Sequence, residues 1–409
     1  MKFNKVLLGS LTLVGSLFIS HAVLADSIDP QTPQKPGYYI TASDEFNGKD
    51  LNTNIFNKRY LPHWTDKDTS ATYAVNDGKL QLKINKETQP WDPAFDGQTV
   101  VSGIQTAERD WLHKWTDYPN INHHEDTNLN HIQKYGYFEI RAKIQKGSGI
   151  HSAWWMIGAQ QDTNPGSKEN GEIDIFEILG KEPNNIYYTW HKWGSDLNDE
   201  GQTYNTNQDL SADYHVYGFE WTPTNMNLYL DGKLIKTMNK SPNYPMLTLL
   251  GLYEKRAGGW TGAFDPNVPY PKAFDVDYWR AYQKIPTLPY TVNVADFKLY
   301  GDSHVIKNDA NTRLASLAHD QKDAQQNIIK YDQLYSPDNA THKLTLSYQA
   351  SNQAQTLTYR VNGGELQTLN LAANQTQVNF DAQLKQGINS IEFVNHNDQN
   401  LVLQDLVVG

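Results

Sequence analysis

The 409-residue chain has no cysteine, so no disulfide can brace it and its stability has to come from packing. It also lacks an apolar run long enough to cross a bilayer. The one sizeable run, Val6 to Ile19, follows Lys2 and Lys5 and precedes the small-residue site Val23-Leu24-Ala25. That is the layout of a secretory leader, so residues 1–25 are expected to be removed and the protein to be secreted, extracellular and without a membrane span. Basic charge is scarce: the net charge is −11, and −13 once Lys2 and Lys5 are gone, which argues against nucleic acid and other polyanionic partners. Tryptophan is missing from the last third. All 11 lie between Trp64 and Trp279, whereas 287–409 is rich in Gln, Asn, Leu and Thr. With Ile285-Pro286-Thr287-Leu288-Pro289 as linker, this shift divides the chain into a domain over 26–286 and another over 287–409.

What is present is a succession of short strand signals. Leu80, Leu82 and Ile84 alternate behind the turn Asn76-Asp77-Gly78, and Gly136 to Ile144, Ala153 to Ile157, Ile186 to His191 and Val216 to Trp221 follow. Asp231-Gly232 joins two further strands as a two-residue hairpin. Phe274 to Tyr282 closes the set. The fold class expected is all-β, a sandwich or jelly roll. Residues 287–409 give strands at Lys343–Tyr348, Thr356–Val361, Ile388–Phe393 and Leu401–Val408, which predicts a small β-sandwich.

The stretch with chemistry in it is Gly171-Glu172-Ile173-Asp174-Ile175-Phe176-Glu177-Ile178. On a strand, Glu172 and Asp174 share one face and Ile173 and Ile175 the other, leaving Glu177 on the apolar side. One extra residue after Asp174, a β-bulge, brings Glu177 back into line. Three acids in one row repel each other, which is worth tolerating where two carboxyls must flank a glycosidic bond, one as nucleophile and one as acid/base. Ionised neighbours raise the pKa of an acid, the direction an acid/base needs.

The Glu-Ile-Asp-Ile-Phe-Glu run at 172–177 resembles the bulged Glu-x-Asp-x-x-Glu signature of glycoside hydrolase family 16. Asp44–Gly48, Gly136–Arg141, Ala153–Met156, Tyr217–Gly232 and Val276–Tyr282 extend the resemblance, in order, over most of 36–283. It implies a concanavalin A-like β-jelly-roll with an open cleft, and secreted retaining endo-cleavage of a β-linked polysaccharide or glycan, with no cofactor needed for catalysis. It makes Glu172 the nucleophile, Glu177 the acid/base and Asp174 the electrostatic support between them. It also implies a structural calcium held by Asp277 and the carbonyls near Gly78 and Glu45. Gly387–Phe393 and Leu403–Val408 resemble parts of β-sandwich carbohydrate-binding modules, so 287–409 is expected to bind sugar or to act as a spacer. The molecule is expected to be a monomer.

His191, on the next strand signal, is a candidate partner of the acidic row. Trp154, Trp190, Trp193, Trp260 and Trp111 are candidates for stacking on sugar rings, because each offers a flat apolar face. On a two-residue period only one of Trp154 and Trp155 can face the cleft. His123-His124-Glu125-Asp126 lacks His-Glu-x-x-His spacing and reads as loop, and Gly147-Ser148-Gly149 lacks the lysine of a phosphate loop. The expected substrate is a β-1,3 or mixed-linkage β-glucan. The alternatives are a galactose-containing glycan, a transglycosylase reaction and a non-catalytic carbohydrate binder. One departure bears on the choice: laminarinase-like members carry Trp-Pro before the alanine of the preceding strand, where this chain has Ile150-His151-Ser152-Ala153.

Overall fold

The computed structural model describes residues 27–109, 127–160, 171–192, 199–319 and 327–409. The expected leader at 1–25, Trp111, Trp115, Trp193 and His123–Asp126 lie outside the described residues.

Up to Lys284 the strands build two antiparallel sheets. The larger runs Lys233–Met238, Met226–Leu230, His215–Trp221, Gly136–Lys143, Lys272–Lys284, Lys79–Ile84 and Tyr73–Asn76, with Tyr38–Asp44 also paired to the long strand Lys272–Lys284. The smaller has six strands in the order Thr99–Gln105, Met246–Lys255, Ile150–Gly158, Glu172–Leu179, Asn185–His191 and Glu200–Asn205. Alternation along each strand explains the stacking. Leu80, Leu82 and Ile84 from the larger sheet meet Trp154, Met156, Ile173, Ile178, Tyr188 and Leu250 from the smaller in one buried cluster. Both expected turns form with positive φ at two consecutive residues, Asp77-Gly78 (52° and 68°) and Asp231-Gly232 (50° and 77°), as a tight hairpin requires.

The remaining strands form a second two-sheet sandwich. Six strands including Tyr290–Asn293, Thr341–Tyr348 and Leu401–Val408 face five including Ile328–Ser336, Gln355–Val361 and Gly387–Val394, around a core of Leu334, Leu344, Leu357, Phe393 and Leu406. Only five residues separate Lys284 from Tyr290, and the Ile285 amide is tied to the Gly37 carbonyl at 3.0 Å.

The two sandwiches are joined by a polar seam. Tyr39 donates its hydroxyl to the Gln333 carbonyl (2.8 Å) and packs its ring 4.8 Å from that of Tyr335. The buried Gln333 amide donates to the Ile132 carbonyl (2.9 Å), and Lys298, paired with Asp332, donates to the Asn130 carbonyl (2.7 Å). Gln160 donates to the Phe297 carbonyl. Burial, then the adjacent Lys298 charge, pushes the His131 imidazole down to about 3, so it is neutral. Every aromatic ring of the second sandwich among the described residues is buried or half-buried.

No helix among the described residues is long and apolar enough to cross a membrane.

Candidate active site

The acidic strand Glu172–Leu179 lies in the middle of the six-stranded sheet. Its register with the strand Ile150–Gly158 runs Ile157 to Glu172, Met156 to Ile173, Trp155 to Asp174, then Trp154 to Phe176 and Ala153 to Glu177, with Ile175 left over. On the other side Asp174 pairs with Thr189 and Glu177 with Tyr187, with the same irregularity between them. This is a bulge at Ile175. Its driving force is plain in the burial: Ile173, Ile175, Phe176 and Ile178 all belong to the core between the sheets. Two consecutive apolar side chains, Ile175 and Phe176, are taken inward, and Glu172, Asp174 and Glu177 are left together on the face away from the core.

Parity then assigns the neighbours. Ile186, Tyr188 and Trp190 point into the core, which puts Tyr187, Thr189 and His191 on the acid face. Trp154 is fully buried in the same core and packs on Phe176. The expectation that Trp154 and Trp190 stack on substrate is therefore corrected. Trp155 is the member of its pair on the acid face, where its Nε1 donates to the Tyr253 hydroxyl at 3.0 Å. Tyr60, Trp91, Trp155 and Tyr253 form an aromatic cluster beside the acids, with Tyr60 edge-on to Trp91 (5.1 Å) and to Tyr253 (5.8 Å). Two glycines make room for it: a Cβ on Gly103 would lie 2.8 Å from the Tyr60 ring, and one on Gly251 2.4 Å from the Tyr253 hydroxyl.

Trp260 is 46% exposed, and its ring meets the edges of Tyr187 (5.3 Å) and His151 (5.8 Å). His151 stacks flat on Tyr253, rings 4.3 Å apart, with its Nε2 3.6 Å from Glu177 Oε1. Burial, then the Lys255 charge, pushes His151 down to about 3, so a neutral ring stands beside Glu177. His151 comes to the acids on the strand paired directly with theirs, whereas Tyr253 comes on Met246–Lys255, one strand further out, and neither Tyr253 nor Tyr60 is singled out by sequence alone.

The acids titrate apart from ordinary carboxylates. Burial, then the charge of Glu172, raises Glu177 to about 7, with His191 acting in the opposite sense. Burial, then the charge of Glu177, raises Asp174 to about 6, moderated by His191 and by a hydrogen bond shared with Glu172. His191 Nε2 lies 3.1 Å from Asp174 Oδ2 and its Nδ1 2.6 Å from Asp199 Oδ2. Burial works against a charge on this ring, but the carboxylates on both sides outweigh it and hold the imidazolium up to about 10. Ligand atoms of Glu172, Asp174 and His191 lie within 4.8 Å of one another, with the two His191 ring nitrogens 3.1 and 2.6 Å from carboxylate oxygens of Asp174 and Asp199.

Of the side chains the resemblance offers to a calcium ion, Asp277 has its Oδ2 2.8 Å from Arg141 Nη1. The other ligands expected there are backbone carbonyls near Gly78 and Glu45, and oxygen-only ligation of that kind suits a hard divalent cation.

Comparison with known proteins agrees with this geometry. The description "Glycosyl hydrolases family 16" matches residues 56–270. The glucan endo-1,3-beta-glucosidase A1 of Niallia circulans is 29% identical over 298 residues, covering 62% of this chain and 39% of that protein. The keratan-sulfate endo-1,4-beta-galactosidase of Sphingobacterium multivorum is 32% identical over 304 residues, covering 67% of this chain and 63% of that protein. The solved GlcNAcα1-4Gal releasing endo-β-galactosidase of Clostridium perfringens superposes with a TM-score of 0.58 at 29% identity, covering 74% of this chain and 81% of that one. The chain thus spans about two-fifths of the length of the first of these relatives. Because the family match takes in more than half of the chain and encloses the whole acidic row, the chain belongs to family 16 of the glycosyl hydrolases.

Proposed function

We propose that the protein is a secreted, monomeric, retaining endo-β-glycanase that hydrolyses internal β-glycosidic bonds of a glycan by double displacement. The observation that carries this reading is the bulged row itself. It places two glutamates on one face with an aspartate between them, and the charge of Glu172 is felt at Glu177. In the first step the Glu172 carboxylate attacks the anomeric carbon while Glu177 gives its proton to the departing glycosidic oxygen. The glycosyl–enzyme ester then breaks when Glu177, now a carboxylate, takes a proton from water and the resulting hydroxide adds to the anomeric carbon, releasing Glu172. Two inversions give net retention. A carboxyl raised to about 7 can serve in both directions near neutral pH. Asp174 and the imidazolium of His191 beside it balance the charge of the row, and Trp260 offers a sugar-stacking face.

The second sandwich supports the first. It has no tryptophan, and its described phenylalanine and tyrosine rings are all buried or half-buried, which favours a spacer over a sugar binder.

A galactose-containing glycan is favoured over a β-glucan as substrate. The two galactosidases above match 67% and 74% of this chain, against 62% for the glucanase, and His151 stands where laminarinase-like members carry tryptophan. The test is product analysis on keratan, mucin-type glycans, agarose, laminarin and mixed-linkage glucan, with wild type beside Glu172→Gln. Oligosaccharides whose new reducing ends are first seen as the β-anomer by proton NMR, absent with the mutant, support the reading. Equal cleavage by the mutant defeats the nucleophile assignment, cleavage of laminarin alone reverses the substrate preference, and products longer than the substrate indicate transglycosylation.

A further inference from the structure

His191 ends its strand directly across from Asp199. The register of Asn185–His191 with Glu200–Asn205 runs from Asn185–Asn205 to Trp190–Glu200, and one step further sets His191 against Asp199. Asp199 is bound at both oxygens: Oδ1 accepts the Lys192 backbone N–H at 2.9 Å and Oδ2 lies 2.6 Å from His191 Nδ1. The opposite ring nitrogen lies 3.1 Å from Asp174 Oδ2. The ring is thus gripped between two carboxylates, one in the row that does the chemistry and one outside it.

We infer that Asp199 is a positioning residue for the acidic row, holding the His191 ring doubly protonated and aimed at Asp174. This rests on the reading of that row as the reacting site. The chemical need is clear. Three carboxyl groups packed on one face repel each other, and a cation at the buried Asp174 lets the row keep charge where a nucleophile requires it. A lone histidine would not supply that cation dependably, since its ordinary pKa of ~6.5 leaves it mostly neutral at pH 7.5. Asp174 is the larger of the carboxylate influences that raise the ring, and Asp199 adds to it from a solvent-facing position, with its side chain 46% exposed. Although partial burial opposes its charge, the bonds to His191 and the Lys192 N–H hold its carboxyl below the usual range. The other charged groups facing the ring do not replace it. Glu172 stands across the pairing from His191 and Glu177 lies further down the row, both engaged with the acids themselves. Lys192 and Lys240 are both held by Glu200 on the neighbouring strand, at 2.6 and 3.0 Å.

The test uses the whole chain and reads the His191 ring by nitrogen-15 NMR over pH 5–10, in wild type, Asp199→Asn and Asp199→Glu, with kcat and KM beside it. The ring titration needs no substrate, so it stands even if the proposed glycanase activity is wrong. Asp199→Asn is expected to lower the His191 pKa by ~1–3 pH units, the range for loss of an adjacent opposite charge. It should cut kcat at pH 7.5 by about tenfold with KM held, and keep the melting temperature; Asp199→Glu should restore the ring titration. An unchanged His191 titration in Asp199→Asn overturns the inference. So does a lowered melting temperature with the ring still charged, which would make Asp199 merely structural, or a lowered ring pKa with kcat intact.

Discussion

Replacing the carboxyl of Glu177 measures what the active site costs the fold. Burial and the charge of Glu172 raise it from 4.5 to about 7. A folded-state pKa above the unfolded one means that the native protein holds this proton more tightly than the unfolded chain does. The stabilisation from that proton is fully present below pH 4.5, declines as pH rises, and is gone above about pH 7. At ~1.36 kcal/mol per pH unit, the interval amounts to roughly 3 kcal/mol. Gln cannot ionise, so Glu177→Gln escapes the loss. Its advantage over wild type is therefore expected to grow from near zero at pH 4.5 to roughly 3 kcal/mol at pH 8. The assay is urea unfolding of both proteins at pH 4.5, 6, 7 and 8, together with the pH profile of wild-type kcat/KM, whose alkaline limb should fall near pH 7. A stability difference that does not vary with pH, or a mutant less stable than wild type at pH 8, refutes the argument that Glu177 is held neutral by its surroundings.

The tryptophans should separate by role. Trp154→Ala empties a fully buried site and is expected to cost ~3–5 kcal/mol in urea unfolding. Trp260→Ala, at a half-exposed position, should leave the melting temperature alone while raising KM for oligosaccharides several-fold. If calcium is held by Asp277 and the carbonyls near Gly78 and Glu45, a chelator such as EDTA is expected to lower the melting temperature and added calcium to restore it; an unchanged melting curve would mean that the Arg141–Asp277 pair serves in place of the ion.

Local alternation made the site legible in part. The spacing of Glu172, Asp174 and Glu177 against Ile173, Ile175 and Phe176 can be reconciled on one strand only by a bulge, and the bulge sits at Ile175. The same rule separates His191 from Trp190: consecutive residues on a strand cannot share a face, so His191 beside the acids sends Trp190 to the core. Trp154 and Trp155 pose the reverse case. Period two says that they part company but not which way, and the answer depends on pairing with Met246–Lys255, almost a hundred residues on. Distance along the chain also hid Tyr253 and Tyr60. Asp199 was hidden differently, since an acid at a hairpin mouth looks like any solvated charge until the register sets it against His191. The seam gave no signal because Lys298 and Gln333 have the composition of surface residues.

That seam has a bearing on how such a chain can be inherited and rearranged. Tyr300 from the second sandwich packs on the cluster that contains Tyr60, Trp155 and Tyr253. Lys298 and Gln333 end on the carbonyls of Asn130 and Ile132 in the first sandwich. A recombination breakpoint at the five-residue linker would hand one offspring a jelly roll with bare carbonyls at the seam, and the other a sandwich with a lysine stripped of half its partners. The dependence is one-sided. Because the acceptors are backbone carbonyls, the side chains at Asn130 and Ile132 can drift without breaking these bonds, whereas replacing Lys298 or Gln333 leaves a carbonyl of the other unit unpaired.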